Sequence, residues 1–296
     1  MSARYRVLHD THYHYEAPVL LSQQLLHLTP RTCSWQSCES HRITIQPSAT
    51  ERDERDDFFG NRQVLFALDT PHTELVVAAE SVVAVRPHAP DPARAPSPPW
   101  EAVRALERSA GDASTLEACQ FRYASPLVRT SPEVLRFAHP AFAPGRPLLE
   151  VMLDLSRRIH DQFAFDPDAT TVATPLEEVL AHRRGVCQDF AHLALACLRA
   201  HGIAARYVSG YLLTTPPPGQ PRLVGADASH AWVSVFIPEL GWVDIDPTNN
   251  LLPDTRHITV ALGRDFSDVS PVRGVILGGG EHEVEARVTV EPFARA

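Results

Sequence analysis

The sequence predicts an α+β protein made of two units, on three observations. Residues 5–87 carry short alternating or apolar runs separated by turn clusters, with no helical period among them. Six prolines from Pro87 to Pro99 then make a stiff, extended connection. Beyond residue 148, helical patterns come first and strand patterns follow, an order that packs helices against an antiparallel sheet. The division read from this is a β-rich, sandwich-like domain at 1–88, a proline-rich linker with short helices at 89–147, and a core with C-terminal strands at 148–296.

In the first unit the strand patterns fall at 5–15, 41–46, 63–68 and 74–85. The mixed-charge run 50–57 reads as a solvated turn. In the linker, 101–109 and 132–138 have helical spacing, the second behind a Ser131 cap. A longer helix is expected over 148–163, carrying Leu149, Met152, Leu153, Leu155 and Ile159. Thr174, Pro175 and Glu177 read as N-cap, first-turn proline and capping-box acid of a helix that runs to His182 and stops at Gly185. The next helix starts at Cys187, shows an apolar stripe through Phe190, Leu193, Ala194, Cys197 and Leu198, and closes at Gly202. Strands are expected at 205–213, 230–237, 241–246 and 256–262, with further candidates at 272–277 and 283–291. The tract 214–220 is a loop able to border a cleft.

Composition narrows the function. The 296 residues are 44% hydrophobic and 21% charged, with a formal charge of −9, which argues against nucleic acid or an anionic membrane as partner. There is no apolar run of transmembrane length and no signal-peptide core at the N-terminus, so a cytoplasmic protein is expected. Five cysteines without a CxxC fit neither a disulfide framework nor a zinc ribbon. All 27 basic residues are arginine, which excludes lysine Schiff-base and P-loop chemistry.

The chemistry centres on Cys187. A cysteine in the first turn of a helix lies beside unpaired backbone N–H groups and the positive end of the helix dipole, and both favour thiolate over thiol. The N–H groups of Cys187 and Gln188 could also hold an oxyanion. A thiol nucleophile needs a base and the base needs an orienting group. Of the fifteen histidines, His230 opens a strand behind a loop of small and polar residues and can face a cleft. The next strand carries Asp244 and Asp246 on one face, and Asp246 at its end is placed to orient an imidazole. A tight hairpin through 238–240 sets Asp246 opposite roughly residue 233, short of His230, and strand twist, a bulge or side-chain lean must close that gap.

Three ordered blocks, 185–191 (Gly-Val-Cys-Gln-Asp-Phe-Ala), His230-Ala231-Trp232 and 241–248 (Gly-Trp-Val-Asp-Ile-Asp-Pro-Thr), resemble those of the transglutaminase-like superfamily. His9 to Tyr15, Pro18-Val19, Leu28 to Arg31 and Phe59-Gly60-Asn61 resemble the β-rich domain that precedes the core in bacterial members. The resemblance implies a papain-like core with Cys187, His230 and Asp246 as the triad. It implies a cysteine protease or amidase acting on a peptide or isopeptide bond through a thioester, with acyl transfer to an amine as the alternative. No cofactor and no metal are implied.

Trp232 and Trp242 flank the triad positions and could wall the cleft or pack in the core. Asp189 and His192 could orient the nucleophile or serve as satisfied polar groups. Two rival readings remain. One is a metal site using His9, His12 and His14, or His182, Cys187 and His192, although a five-residue spacing does not put the latter on one helix face. The other is a catalytically silent binding module.

Overall fold

The computed structural model describes residues 2–109, 113–214 and 228–293. The N-terminal unit is one antiparallel sheet organised around β1 (Ala3–Leu26), with β2 (Gln36–Gln46), β3 (Glu51–Asp56), β4 (Arg62–Leu68) and β5 (His72–Val85) in the order β2-β5-β1-β4-β3. The first half of β1 pairs with β5; past an irregularity between His14 and Val19, its second half pairs with β4. The sheet therefore curls about β1 and closes over Tyr15, Val19, Leu26, Ile43, Phe66 and Leu75.

The stretch read as a solvated turn is the strand β3. Every residue of it is exposed, and Arg62 on β4 pairs across to Glu54 at 3.2 Å. A strand made only of charges has no apolar alternation to reveal it, and such an edge resists further pairing.

Helices α1 (Trp100–Ser109), α2 (Ala113–Cys119), α3 (Pro132–Ala138) and α4 (Leu148–Gln162) lead into a short parallel bridge between β6 (Ala164–Phe165) and β7 (Arg184–Gly185), with α5 (Leu176–His182) between them. Ser131 caps α3 as expected, accepting the Val134 N–H at 3.3 Å. The ends of α5 differ from the sequence reading. Pro175 is the N-cap, Thr174 instead accepts the Thr171 N–H at 2.9 Å, and the helix ends in Arg183, at φ 55°, ahead of Gly185.

Helix α6 (Cys187–Ala200) is the centre of the second unit. Its sequence shows a stripe, yet every residue from Asp189 to Arg199 is buried, because helices cover it on one side and a four-stranded sheet on the other. That sheet runs β10-β9-β8-β11, from β8 (Ala205–Leu212), β9 (Ala228–Ile237), β10 (Gly241–Ile245) and β11 (His257–Gly263). Ala231, Val233 and Val235 alternate onto the face that meets α6. The loop expected at 214–220 lies, from residue 215, outside the described residues, as do 225–227 ahead of β9.

A short helix α7 (Phe266–Val269) leads to β12 (Val272–Gly278) and β13 (His282–Pro292). The sequence division leaves these two strands with the core. They instead pair with β1, β13 beside its first half and β12 beside its second. Strand patterns locate strands but do not name their partners, and β1 is long enough to take four.

The units share apolar packing: Tyr5, Val7, Val83, Val288 and Val290 from the curled sheet join the same cluster as α6. Between them the outer edge of β11 would present unpaired backbone groups, and two buried side-chain amides satisfy it. Gln36 donates to the Thr259 carbonyl at 2.7 Å and accepts its N–H at 2.8 Å. Asn61 does the same for Leu262, at 2.7 and 2.8 Å. Each amide pairs with β11 as one residue of a neighbouring strand would.

Replacing Gln36 by Leu should strand the buried Thr259 N–H, since the Thr259 carbonyl keeps the Arg31 N–H at 3.1 Å, at a cost of about 1–3 kcal/mol. Urea unfolding should show a lower midpoint at unchanged slope; a loss under about 0.5 kcal/mol would mean that water reaches this edge.

Candidate active site

The nucleophile position is built by Asp189. Its Oδ2 accepts the Val186 N–H at 2.8 Å and the Thr170 hydroxyl at 2.6 Å, which fixes the turn into α6 and ties the 166–175 segment beside it. Burial pushes the Asp189 carboxyl up, against the pull of these two donors. Gly185 is needed for this contact, since a Cβ there would lie 2.6 Å from Asp189 Oδ2. Cys187 is half-buried at the first position of the helix. The Phe190 N–H makes the bond to Val186 O, so the amides of Cys187 and Gln188 precede the helical ladder.

Cys187, His230 and Asp246 come together. His230 Nε2 lies 2.7 Å from Asp246 Oδ2, and Cys187 is near enough to raise the ring's proton affinity. The register resolves the gap expected from the hairpin. Ile245 faces Val233, so Asp246 falls opposite Trp232 and meets His230 on the diagonal, within reach of an imidazole.

Asp246 is wholly buried, and its carboxylate is saturated with donors. Oδ1 accepts the N–H groups of Thr248 and Asn249 at 3.0 and 3.2 Å; Oδ2 accepts His230, the Asn249 amide at 2.7 Å and His257 Nε2 at 3.1 Å. Burial opposes the charge, but these bonds and the His230 cation outweigh it and hold the carboxyl well below its ordinary range. For His230, burial likewise favours the neutral ring; the bonds to Asp246 and Cys187 and their charges prevail and raise it to about 10. From behind, Ser156 and His160 of α4 hold the turn through the Asp246 and Thr248 carbonyls, at 3.3 and 2.9 Å.

Neither tryptophan occupies the wall position considered from the sequence. Trp232 is completely buried, donating to Asp244 Oδ2 at 3.0 Å and standing edge-on to His257. Gly210, paired opposite His230, makes room for it, since a Cβ would meet the Trp232 ring at 2.5 Å. Trp242 sits at the far end of β10 under the Arg206 guanidinium, 4.0 Å away, and lines a separate cavity of about 260 Å³ with His88, Asp244 and Pro253. His192 is a buried neutral ring that accepts the Phe266 N–H at 3.2 Å; burial lowers its pKa to about 4.

Asn249 and His257 were not singled out from the sequence. The signal that selected His230, a histidine at the mouth of a strand, also marks His257. Among the described residues, His230, His257 and Asp246 are the group whose donor atoms lie within 4.8 Å of one another, as metal ligands would. Hydrogen bonds already engage all three. The sets considered earlier do not converge: His9 bonds Tyr211 at 2.9 Å and His14 pairs with Glu74 at 3.5 Å.

The family model "Transglutaminase-like superfamily" matches residues 136–247, and "Bacterial transglutaminase-like N-terminal region" matches 5–84. The chain belongs to the transglutaminase-like superfamily. A protein of Mycobacterium tuberculosis is 44% identical over 299 residues, covering 98% of this chain and 93% of its own. One from Mycobacterium leprae is 32% identical over 294 residues, covering 98% and 99%. A protein-glutamine gamma-glutamyltransferase of Pseudomonas aeruginosa is 34% identical over 135 residues, 45% of this chain and 20% of that one. The solved structure of "a Putative Cysteine Protease" from Cytophaga hutchinsonii superposes with a TM-score of 0.75 at 18% identity, covering all of this chain and 92% of that one. Membership and fold together place this transglutaminase-like chain among papain-like cysteine enzymes in general.

His230 binds its proton more tightly than its ordinary value of 6.5, so that stabilisation is complete below pH 6.5 and is lost as pH rises toward about 10. Asp246 lies below its ordinary 3.8, so its share is present above that pH and is lost on acidification. Asp246→Asn should therefore cost about 3 kcal/mol near pH 6 and clearly less near pH 10. Urea unfolding at both pH values checks this; an equal cost at both would contradict it.

Proposed function

We propose that this protein is a cysteine amide hydrolase or acyl transferase that acts on a peptide or protein substrate, with Cys187 as nucleophile, His230 as base and acid, and Asp246 as the orienting carboxylate. The observation that carries the reading is the placement of one imidazole between a saturated buried carboxylate and a half-buried thiol. Because Nε2 is held by Asp246, Nδ1 is the nitrogen that carries the proton taken from Cys187, so that thiolate and imidazolium stand as a pair before substrate binds. The thiolate then attacks the amide carbonyl, forming the C–S bond while the oxyanion takes hydrogen bonds from the N–H groups of Cys187 and Gln188. Collapse breaks the C–N bond, and His230 returns its proton to the departing amine. The thioester that remains is released by water as a carboxylic acid, or by an amine as a new amide.

Hydrolysis of a peptide or isopeptide bond is the outcome we favour. Transfer to an amine is the second reading, and the observation favouring it is the partial likeness to a protein-glutamine gamma-glutamyltransferase. With no lysine in this chain, a transferase could not crosslink the protein to itself through lysine. The strand-rich unit, proposed at 1–88 with β12 and β13 added to it, would present substrate to a catalytic unit that begins at 148. Five free cysteines support placement in the reducing cytoplasm.

Peptide mixtures incubated with the protein, with and without an added primary amine, and analysed by mass spectrometry, test the reading. Hydrolysed products should form without amine, and Cys187→Ala should lower turnover by about a thousandfold or more. Amine conjugates in place of hydrolysed products would make it a transferase. Unaltered peptides that remain bound to the protein would make it a binding module.

A further inference from the structure

We propose that His257 is a positioning residue for this site, acting through Asp246 on His230. The inference rests on the proposed thiol–imidazole chemistry and extends it to a residue on another strand.

His257 opens β11 and is 2% exposed. Its Nε2 lies 3.1 Å from the same Oδ2 that binds His230, so the two imidazoles share one carboxylate oxygen. With the Asn249 amide, that oxygen meets three donors converging from β9, β11 and the turn after β10. A carboxylate on a rotatable bond is aimed by its donors. The turn amides hold Oδ1, whereas His257 and the Asn249 side-chain amide hold Oδ2 alongside His230. Trp232, edge-on at 5.3 Å, fixes the His257 ring plane in turn.

The other ring nitrogen gives His257 two states. Nδ1 lies 3.4 Å from the Asp254 N–H and 3.5 Å from Asp254 Oδ1. In the neutral ring, Nε2–H donates to Asp246 and Nδ1 accepts the backbone N–H. After protonation, Nδ1–H donates to the Asp254 carboxylate, which Arg256 also pairs at 3.0 Å. The ionisable groups facing the ring are Asp246, Asp254 and the His230 cation. Burial disfavours the charged ring and His230 repels it, but the two carboxylates prevail and raise its proton affinity. When His257 gains its proton, Asp246 is shared between two cations and its hold on the His230 proton weakens. Acidification is thus felt at His230 through His257.

The test is the pH dependence of Cys187 alkylation by iodoacetamide, resolved by site with mass spectrometry, in the full chain. His257→Leu, confirmed folded by circular dichroism, should react about tenfold more slowly, because Asp246 loses one charge-assisted donor. In His257→Gln the amide nitrogen can stand where Nε2 stood, and it should recover most of that loss. It should lack the inflection that the wild type shows as His257 gains its proton. Asp254→Asn, on the exposed side, should keep the inflection but move it to lower pH.

A folded His257→Leu that reacts like the wild type overturns the proposal, as does a His257→Gln profile that superimposes on the wild-type one. His230→Ala separates the two claims. If it alkylates as fast as the wild type, the thiol–imidazole reading itself fails. If it is slow while the His257 variants behave as wild type, only the role of His257 fails.

Discussion

A carboxylate with no solvent exposure is costly to bury, and Asp246 is such a group. The site is arranged to offset that cost. Two backbone N–H groups from the turn after β10, one side-chain amide and two imidazoles surround it, and α4 braces the turn from behind. The same donors that make the charge tolerable also aim it. With Oδ1 held by the turn, Oδ2 faces His230, which binds its proton tightly. Stabilising the fold and preparing the proposed base would be two consequences of one set of hydrogen bonds.

The remainder of the architecture supports this geometry from a distance. Helix α6 presents Cys187 because Asp189 reaches back to Val186, an approach open only with glycine at 185. Strand β9 brings His230 alongside because Gly210 leaves space for Trp232. Strand β11 carries His257, and its outer edge is paired by amides from the N-terminal sheet, Gln36 bonding two residues away at Thr259. Side chains from the N-terminal unit therefore complete the pairing of β11. Return of β12 and β13 to β1 ties the chain end into the same sheet.

Much of this was legible in the sequence because it rests on local rules. Ser131 and Pro132 mark the start of α3, and the apolar run after Cys187 marks α6. The Cys, His and Asp blocks could be assigned by their order along the chain. What was not legible depends on neighbours. The fully charged β3 has no period to detect, and the partners of β12 and β13 are set by the length of β1. Arg183 ends α5 in a left-handed conformation, although Gly185 was the more obvious stop, because that glycine is required for packing. Trp232 could have walled the cleft or packed in the core; alternation puts it on the face of His230 but does not say how deeply that face is covered. His257 is twenty-seven residues from His230 and meets it only through a shared carboxylate.

The central claim is that Asp246 keeps His230 charged. Nuclear magnetic resonance of protein labelled with ¹⁵N-histidine measures this directly, with the His230 signal assigned by its loss in His230→Ala. Followed over roughly pH 6 to pH 11, the two ring nitrogens should report a doubly protonated imidazolium that persists until about pH 10, and in Asp246→Asn the transition should fall well below that. A neutral His230 at pH 7 in the wild type, or a midpoint unmoved by Asp246→Asn, would contradict the account.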